Sequence, residues 1–218
     1  MSIDAPVAVE PDFSLLGVSA RPHAAVPALE FDVHVAEPTG RHVYVIALSA
    51  QIMIEPARRR YDDAEREALV ELFGPPERWW TTTNNLVWHR ADVVVPSFSG
   101  STTFRVGVPL TFDLEVAGAK YFNGLADGEV PLAFNFNGTI HYRGDDGRLA
   151  VTLVPWSCSA EFRMPVAVWR AAMDACYPNG RWIALREDTL RALLADKARR
   201  GATTVDAEVA ALLAQERP

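Results

Sequence analysis

Apolar and polar residues alternate along the segment Thr102 to Phe122, TTFRVGVPLTFDLEVAGAKYF. Phe104, Val106, Val108, Leu110, Phe112, Leu114 and Val116 take every second position, and Arg105, Gly107, Pro109, Thr111, Asp113 and Glu115 stand between them. A period of two sends successive side chains to opposite faces, so the pattern predicts one long two-faced strand over about 103–117. Leu29, Phe31, Val33 and Val35 alternate in the same way in LEFDVHV; the turn EPTGR and then HVYVIALSAQIMI follow, which reads as a hairpin. In VPLAFNFNGTIHY, Val130, Leu132, Phe134, Phe136, Ile140 and Tyr142 share a face. RGDDGR is a tight turn, and LAVTLVPWSCSAEFRM returns as the next strand. The opening strand, VPLAFNFNGTIHY and LAVTLVPWSCSAEFRM, joined by short turns, are expected to form an antiparallel meander.

The period changes at both ends of this block. DDAEREALVELFG reads as a short helix over 62–73, capped by Asp62 or Asp63 and stopped by Gly74-Pro75-Pro76. PVAVWRAAMDACY opens with Pro165 and sets Val166, Trp169, Met173 and Cys176 on one helical stripe. REDTLRALLADKARRG, ending at Gly201, and TTVDAEVAALLAQE complete a set of helices over about 165–214. Strands first and helices last predict an α+β fold, a long antiparallel β-sheet covered by C-terminal helices. Residues 1–27, with Pro6, Pro11, Pro22 and Pro27, read as an extended N-terminal arm, and 28–218 as a single α+β domain with strands over about 28–164.

Composition narrows the function. The 218 residues are 49% hydrophobic and 22% charged, enough for a sizeable core. A net charge of −7 gives no general attraction to phosphate backbones, so nucleic acid is not an expected partner. The basic run Arg58, Arg59, Arg60 is followed at once by Asp62, Asp63 and Glu65 and reads as a solvated rim. No apolar run reaches the roughly 18–20 residues that cross a bilayer. The start, MSIDAPVAVEPDFSLL, has neither a basic region nor an apolar core of the export type, so a cytoplasmic chain is expected. Cys158 and Cys176 then read as packed thiols.

Candidate chemistry is sparse. Glycine-rich phosphate loops of either common spacing do not occur. His34 and His42 would face each other across the first hairpin, but two imidazoles make a weak metal site, and no metal or other cofactor is expected. Asp145 and Asp146 in RGDDGR read as hairpin-turn residues rather than calcium ligands. Ser97 to Ser101, SFSGS, departs from the nucleophile elbow. Asp113 with Glu115, and Asp127 with Glu129, would stand side by side on strands, as exposed strand faces commonly carry them. No catalytic residues are assigned. Asn135, Asn137, Thr139 and His141 form a polar stripe opposite Phe134 and Phe136. Trp79, Trp80 and Trp88 cluster in one segment, with Trp156 further along, and large aromatics are enriched both in cores and at interface anchors.

The phrases VPSFSGSTTFRVGVPLTFDLEVAGAKYF, LADGEVPLAFNFNGTIHY, VPWSCSAEFRMPVAVWRAAMD and YPNGRWIALREDTLRALLADKARRG resemble an actinobacterial family of unknown function found near nickel–iron hydrogenase genes. That resemblance implies an accessory role in hydrogenase assembly and no established catalytic residues. A weaker architectural likeness is to SecB-like export chaperones, which implies a homo-oligomer holding unfolded clients. The Trp-rich insertion and the third C-terminal helix depart from that pattern. The expectation is a non-enzymatic protein-binding, chaperone-like factor whose partner is a hydrogenase subunit or an unfolded client. Trp79, Trp80, Trp88 and Trp156 are its candidate anchors. The alternative is a small-molecule binder or unusual enzyme, with a pocket between sheet and helices lined by Trp88, Asn135, Asn137 and His141.

Overall fold

The computed structural model describes residues 9–110, 116–178 and 185–215. The strands, in chain order, are β1 (Asp12–Ala20), β2 (Ala28–Ala36), β3 (His42–Ile54), β4 (Leu86–Val95), β5 (Phe98–Ser99), β6 (Ser101–Pro109), β7 (Glu129–Arg143), β8 (Leu149–Leu153) and β9 (Ser159–Pro165). The helices are α1 (Asp63–Ala68), α2 (Val70–Phe73), α3 (Trp79–Thr82), α4 (Val116–Asn123), α5 (Val166–Cys176), α6 (Glu187–Arg200) and α7 (Val205–Gln215). The fold is α+β, and every strand pairing is antiparallel. The chain divides into two compact units, Met1–Asn179 and Gly180–Pro218. Among the described residues, no helix is long and apolar enough to cross a membrane.

Two sheets build the first unit. One has the order β1-β2-β6; the other has the order β4-β3-β7-β8, with β5 on β3 and β9 on β7. Their apolar faces meet. Phe31 of β2 sits edge-on to Phe134 of β7 at 5.1 Å and to Phe162 of β9 at 6.0 Å. Leu29, Phe31, Val33 and Val35 are fully buried on one side, and Ile46, Ala50, Ile52 and Ile54 on the other. The cover of the long strands is thus in large part a second sheet, an arrangement in which each sheet hides the other's apolar side chains. Helix α5 adds to it, lying against β1, β2 and β9 with Trp169 stacked on Phe122 of α4. Of the predicted stripe of α5, Val166, Trp169 and Met173 are buried and Cys176 is half-buried.

Several sequence expectations are corrected by the pairing. β2 and β3 are not a hairpin: β2 pairs with β1 and β6, and β3 with β4, β5 and β7. EPTGR instead carries the chain from one sheet to the other. Its Gly40 takes φ 77°, a left-handed conformation that favours glycine. Buried Glu37 ties this crossing down, accepting from the backbone N–H groups of Thr39 (3.1 Å) and Arg41 (2.8 Å). The Glu37 N–H donates to the Gly100 carbonyl at 2.6 Å, so the return crossing from β5 to β6 adjoins the first. His34 and His42 consequently lie in different sheets.

The segment read as an N-terminal arm contains β1, and Val9 and Phe13 belong to the core. The strand predicted to reach residue 117 ends at Pro109; Val116 begins α4, and the candidate carboxylates Asp113 and Glu115 lie outside the described residues. β6 therefore lies in the opposite sheet from β7, and the meander reduces to β7 and β8. The last predicted strand splits at residues 154–158 into β8 and β9, which both pair with β7 along different stretches. Asp127 precedes β7, so it does not share a strand with Glu129.

The helix signals in α1 and α6 match the structure closely. The Asp62 carboxylate accepts from the Glu65 N–H at 2.8 Å and caps α1. Gly201, at φ 69°, ends α6 in the left-handed conformation. In the second unit α6 contacts α7, which Thr204 caps through its hydroxyl oxygen, accepting from the Ala207 N–H at 3.0 Å. Arg200 links the pair, 3.1 Å from Asp196 and 3.3 Å from Glu208.

Candidate functional site

Residues of β3, β4, β7 and β8 that do not enter the core point to the outer face of the larger sheet. The register assembles them into rows across four strands. Val94 pairs with Ala47, Ala47 with Thr139, and Thr139 with Leu153. The neighbouring row sets Val45 against His141 and His141 against Val151, and beyond it Arg143 faces Leu149. This end of the face opens apolar side chains to solvent, with Thr139, His141 and Arg143 among them: Val94 is 68% exposed and Leu153 70%, and Leu149 and Val151 are also exposed. The middle of the face is polar. Asp92, Ser49 and Asn137 form one row, and Arg90, Gln51 and Asn135 the next. Asn135 also reaches the Met53 sulfur at 3.6 Å. Trp156, in the turn after β8, is 95% exposed.

The tryptophans separate into two kinds. Trp88 is buried, packed on Phe122 at 5.0 Å and edge-on to Phe31 at 6.3 Å. Trp79 is part-buried; its indole N–H donates to the Gly74 carbonyl at 2.8 Å, and its ring meets Tyr61 and Phe73 edge-on. Trp80, next to it on the single turn α3, is 87% exposed. Trp80 and Trp156 are therefore available as anchors, whereas Trp79 and Trp88 serve the core. The four residues of the expected pocket are not brought together. Trp88 lies on the core side of its sheet, while Asn135, Asn137 and His141 lie on the outer side.

The basic run is not a uniform solvated rim. Arg58 is exposed between Glu55 and Glu161, each 2.7 Å away, and these carboxylates raise its pKa further. Arg59, by contrast, is buried with Glu65, their side chains only 8% and 5% exposed.

One cluster that sequence spacing did not suggest is formed by pairing. His42 lies opposite Ser99; its Nδ1 is 2.9 Å from the Ser99 hydroxyl, and its Nε2 is 3.2 Å from that of Ser97. Each ring nitrogen is occupied by a hydroxyl, so neither is oriented by a carboxylate as a serine-activating base requires. Asp145 makes a paired contact with Arg41 at 2.8 and 2.9 Å, and Asp146 accepts from the Arg148 N–H at 3.0 Å. Both carboxylates are thus engaged in holding the β7–β8 turn. Burial, followed by the nearby charges of Glu10 and Asp12, pushes the Cys158 thiol pKa up, the opposite of what a nucleophile needs. Among the described residues, no group of three or more His, Cys, Asp or Glu side chains is placed to hold a metal ion.

Two solved structures are similar at low identity. The crystal structure of the "putative ApaA protein" from Bordetella pertussis is 12% identical, covers 72% of this chain and 94% of its own, and has a TM-score of 0.28. The solution structure of a "putative late embryogenesis abundant (LEA) protein" is 14% identical, covers 71% of each chain, and has a TM-score of 0.32. Neither likeness is close enough to bear on function. No curated protein matches. The family described as of unknown function, DUF6084, matches residues 8–218, and the chain belongs to it.

Proposed function

We propose that this chain is a non-enzymatic protein-binding factor that works through the outer face of its larger sheet. The observation that supports the reading is the set of exposed apolar side chains Val94, Leu149, Val151 and Leu153, which the register brings to one end of that face with Ala47 and half-buried Thr139 between Val94 and Leu153. Exposed large apolar side chains gathered on one face mark a contact site, whereas a ligand site gathers convergent polar groups in a concavity. Trp156, three residues beyond Leu153, supplies an exposed aromatic anchor, and the Asp92, Arg90, Asn135 and Asn137 rows supply a polar margin. The chain acts in the cytoplasm, in keeping with its two free thiols.

The role is that of an accessory or chaperone-like factor. Hydrogenase subunits are the first partner to test, because of the family resemblance, and unfolded clients the second. Tagged chain recovered from its native host is compared with Val94→Glu, a change at an exposed position that leaves the core untouched. Hydrogenase subunits recovered with the parent and lost with the variant support the reading. A chain recovered alone, with a small metabolite in stoichiometric amount, refutes it.

A further inference from the structure

We infer that β8 is a self-pairing edge, and that two copies of this chain join through it into one continuous sheet. The backbone ladder shows which groups are free to do so among the described residues. The Gly144 N–H donates to the Arg148 carbonyl at 2.8 Å, and the Val154 N–H donates to the Gly138 carbonyl at 3.0 Å. In an antiparallel ladder bonding alternates along the strand, so residues 148, 150, 152 and 154 bond to β7. Leu149, Val151 and Leu153 then turn their own N–H and C=O groups to the open edge. Their side chains are the exposed apolar ones of the outer face.

Proteins ordinarily blunt such edges with charges, prolines or bulges. Apart from the two-residue β5, the other strands that border the two sheets carry these devices. β1 has a bulge between Leu15 and Gly17 and bears Asp12; β4 bears Arg90 and Asp92; β6 bears Arg105 and ends at Pro109; β9 bears Glu161 and Arg163 and ends at Pro165. The sequence of β8, LAVTL, has no charge, proline or internal bulge.

The occupant that fits is a second copy. Antiparallel pairing centred on Val151 sets Val151 against Val151 of the other copy, and Leu149 against its Leu153. The strand is symmetric about its middle in both size and polarity on that face. Each of the three residues exchanges two backbone hydrogen bonds, roughly six in all. A net charge of −7 per chain disfavours association through charged surface, and this strand brings no charge to the contact. The two-fold axis stands perpendicular to the sheet, so both outer faces lie on one side. The apolar row proposed as the contact surface is then doubled in width, each copy contributing Leu149, Val151 and Leu153.

Light scattering coupled to size exclusion tests this over a roughly hundredfold range of concentration. The parent chain is expected at twice its sequence mass, falling toward the single mass on dilution. Val151→Pro removes an N–H that is not bonded to β7, a position at which an edge strand tolerates proline, and Val151→Lys adds a charge to the edge while keeping that N–H. Each is expected to raise the dimer dissociation constant at least tenfold or so, with an unchanged far-ultraviolet dichroism spectrum. Val94→Glu, on the same face but on the far strand β4, stays dimeric, so failure of the pairing and failure of the contact-face reading are distinguishable. A parent chain of single mass throughout overturns the inference and leaves the edge to another protein's strand. A dimer that survives both Val151 variants places the contact elsewhere and overturns it equally.

Discussion

The ring of Phe13 stacks on that of Phe136, with centroids 4.3 Å apart and planes inclined by 23°. The contact joins the first strand of the described chain to the middle of the longest, and it closes the core between the two sheets. Phe104 meets Phe13 edge-on at 6.4 Å, so the first ring is held from two sides. Replacing buried Phe13 with Ala leaves a cavity that these neighbours cannot fill, at a cost of about 3–5 kcal/mol. Urea unfolding of Phe13→Ala reads this directly; a loosely held arm would lose almost nothing.

Arg59 and Glu65 make a second buried link. Their closest atoms are 2.5 Å apart, and Arg59 also donates to the carbonyls of Asp127 (2.7 Å) and Glu129 (3.0 Å). Glu65 accepts from the Ala126 N–H at 2.8 Å. The pair thereby fastens the entry to β7 onto the start of α1. Arg59→Ala strands a buried carboxylate and is expected to destabilise by about 3–5 kcal/mol. Arg60→Ala, at the exposed neighbouring position, is expected to change the urea midpoint within error.

The hydroxyls of Tyr61 and Tyr121 lie 2.8 Å apart beneath this link. Burial pushes Tyr61 up from its ordinary 10.0 to about 12. Tyr121 is pushed up as well, by burial first and then by Tyr61. An unfolded chain ionises these phenols near their ordinary value, while the folded chain keeps them neutral. The pair therefore leaves stability independent of pH below about 10 and lowers it progressively above, as the unfolded state loses protons first. Urea midpoints between about pH 9 and 11 are expected to fall less steeply in Tyr61→Phe than in the parent. Tyrosinate absorbance followed in parallel should show two late-titrating phenols in the parent.

Gly138 shows how a single position fixes the long sheet. At φ 149° it passes the β3 backbone so closely that an added Cβ would stand 2.0 Å from the Ala47 carbonyl oxygen. Gly138→Ala is expected to cost on the order of 4 kcal/mol or to prevent folding, measured by soluble yield and urea unfolding. The neighbouring substitution Thr139→Ala, on the outer face, is expected to fold normally.

Much of this architecture is legible in residue order. The alternation of Leu29 to Val35 and of Val130 to Phe136 identifies strands and their buried faces, because a period of two is a local property. Asp62 and Gly201 mark helix ends for equally local reasons. Pairing is not local. EPTGR serves a hairpin or a crossing between sheets equally well, and only the meeting of Phe31 with Phe134 distinguishes them. The same limit hid the contact of His42 with Ser97 and Ser99, which depends on β5 lying beside β3. It also hid the burial of Arg59, since a run of three arginines looks solvated until the carboxylate and carbonyls around it are placed. Tryptophans carry no positional signal of their own: Trp79 and Trp80 are adjacent, yet one packs and the other is open to solvent. For the candidate surface, the polar stripe of Asn135, Asn137 and His141 was readable, but its continuation into Val94 and Leu153 required the register of four strands.

A photo-activated cross-linker placed at position 94, in cells of the native host, tests the contact-face reading most directly, with position 103 on the outer face of the smaller sheet as reference. The account predicts a discrete protein adduct from position 94 that is absent from position 103. Equal labelling at both positions, or no protein adduct from either, would contradict it.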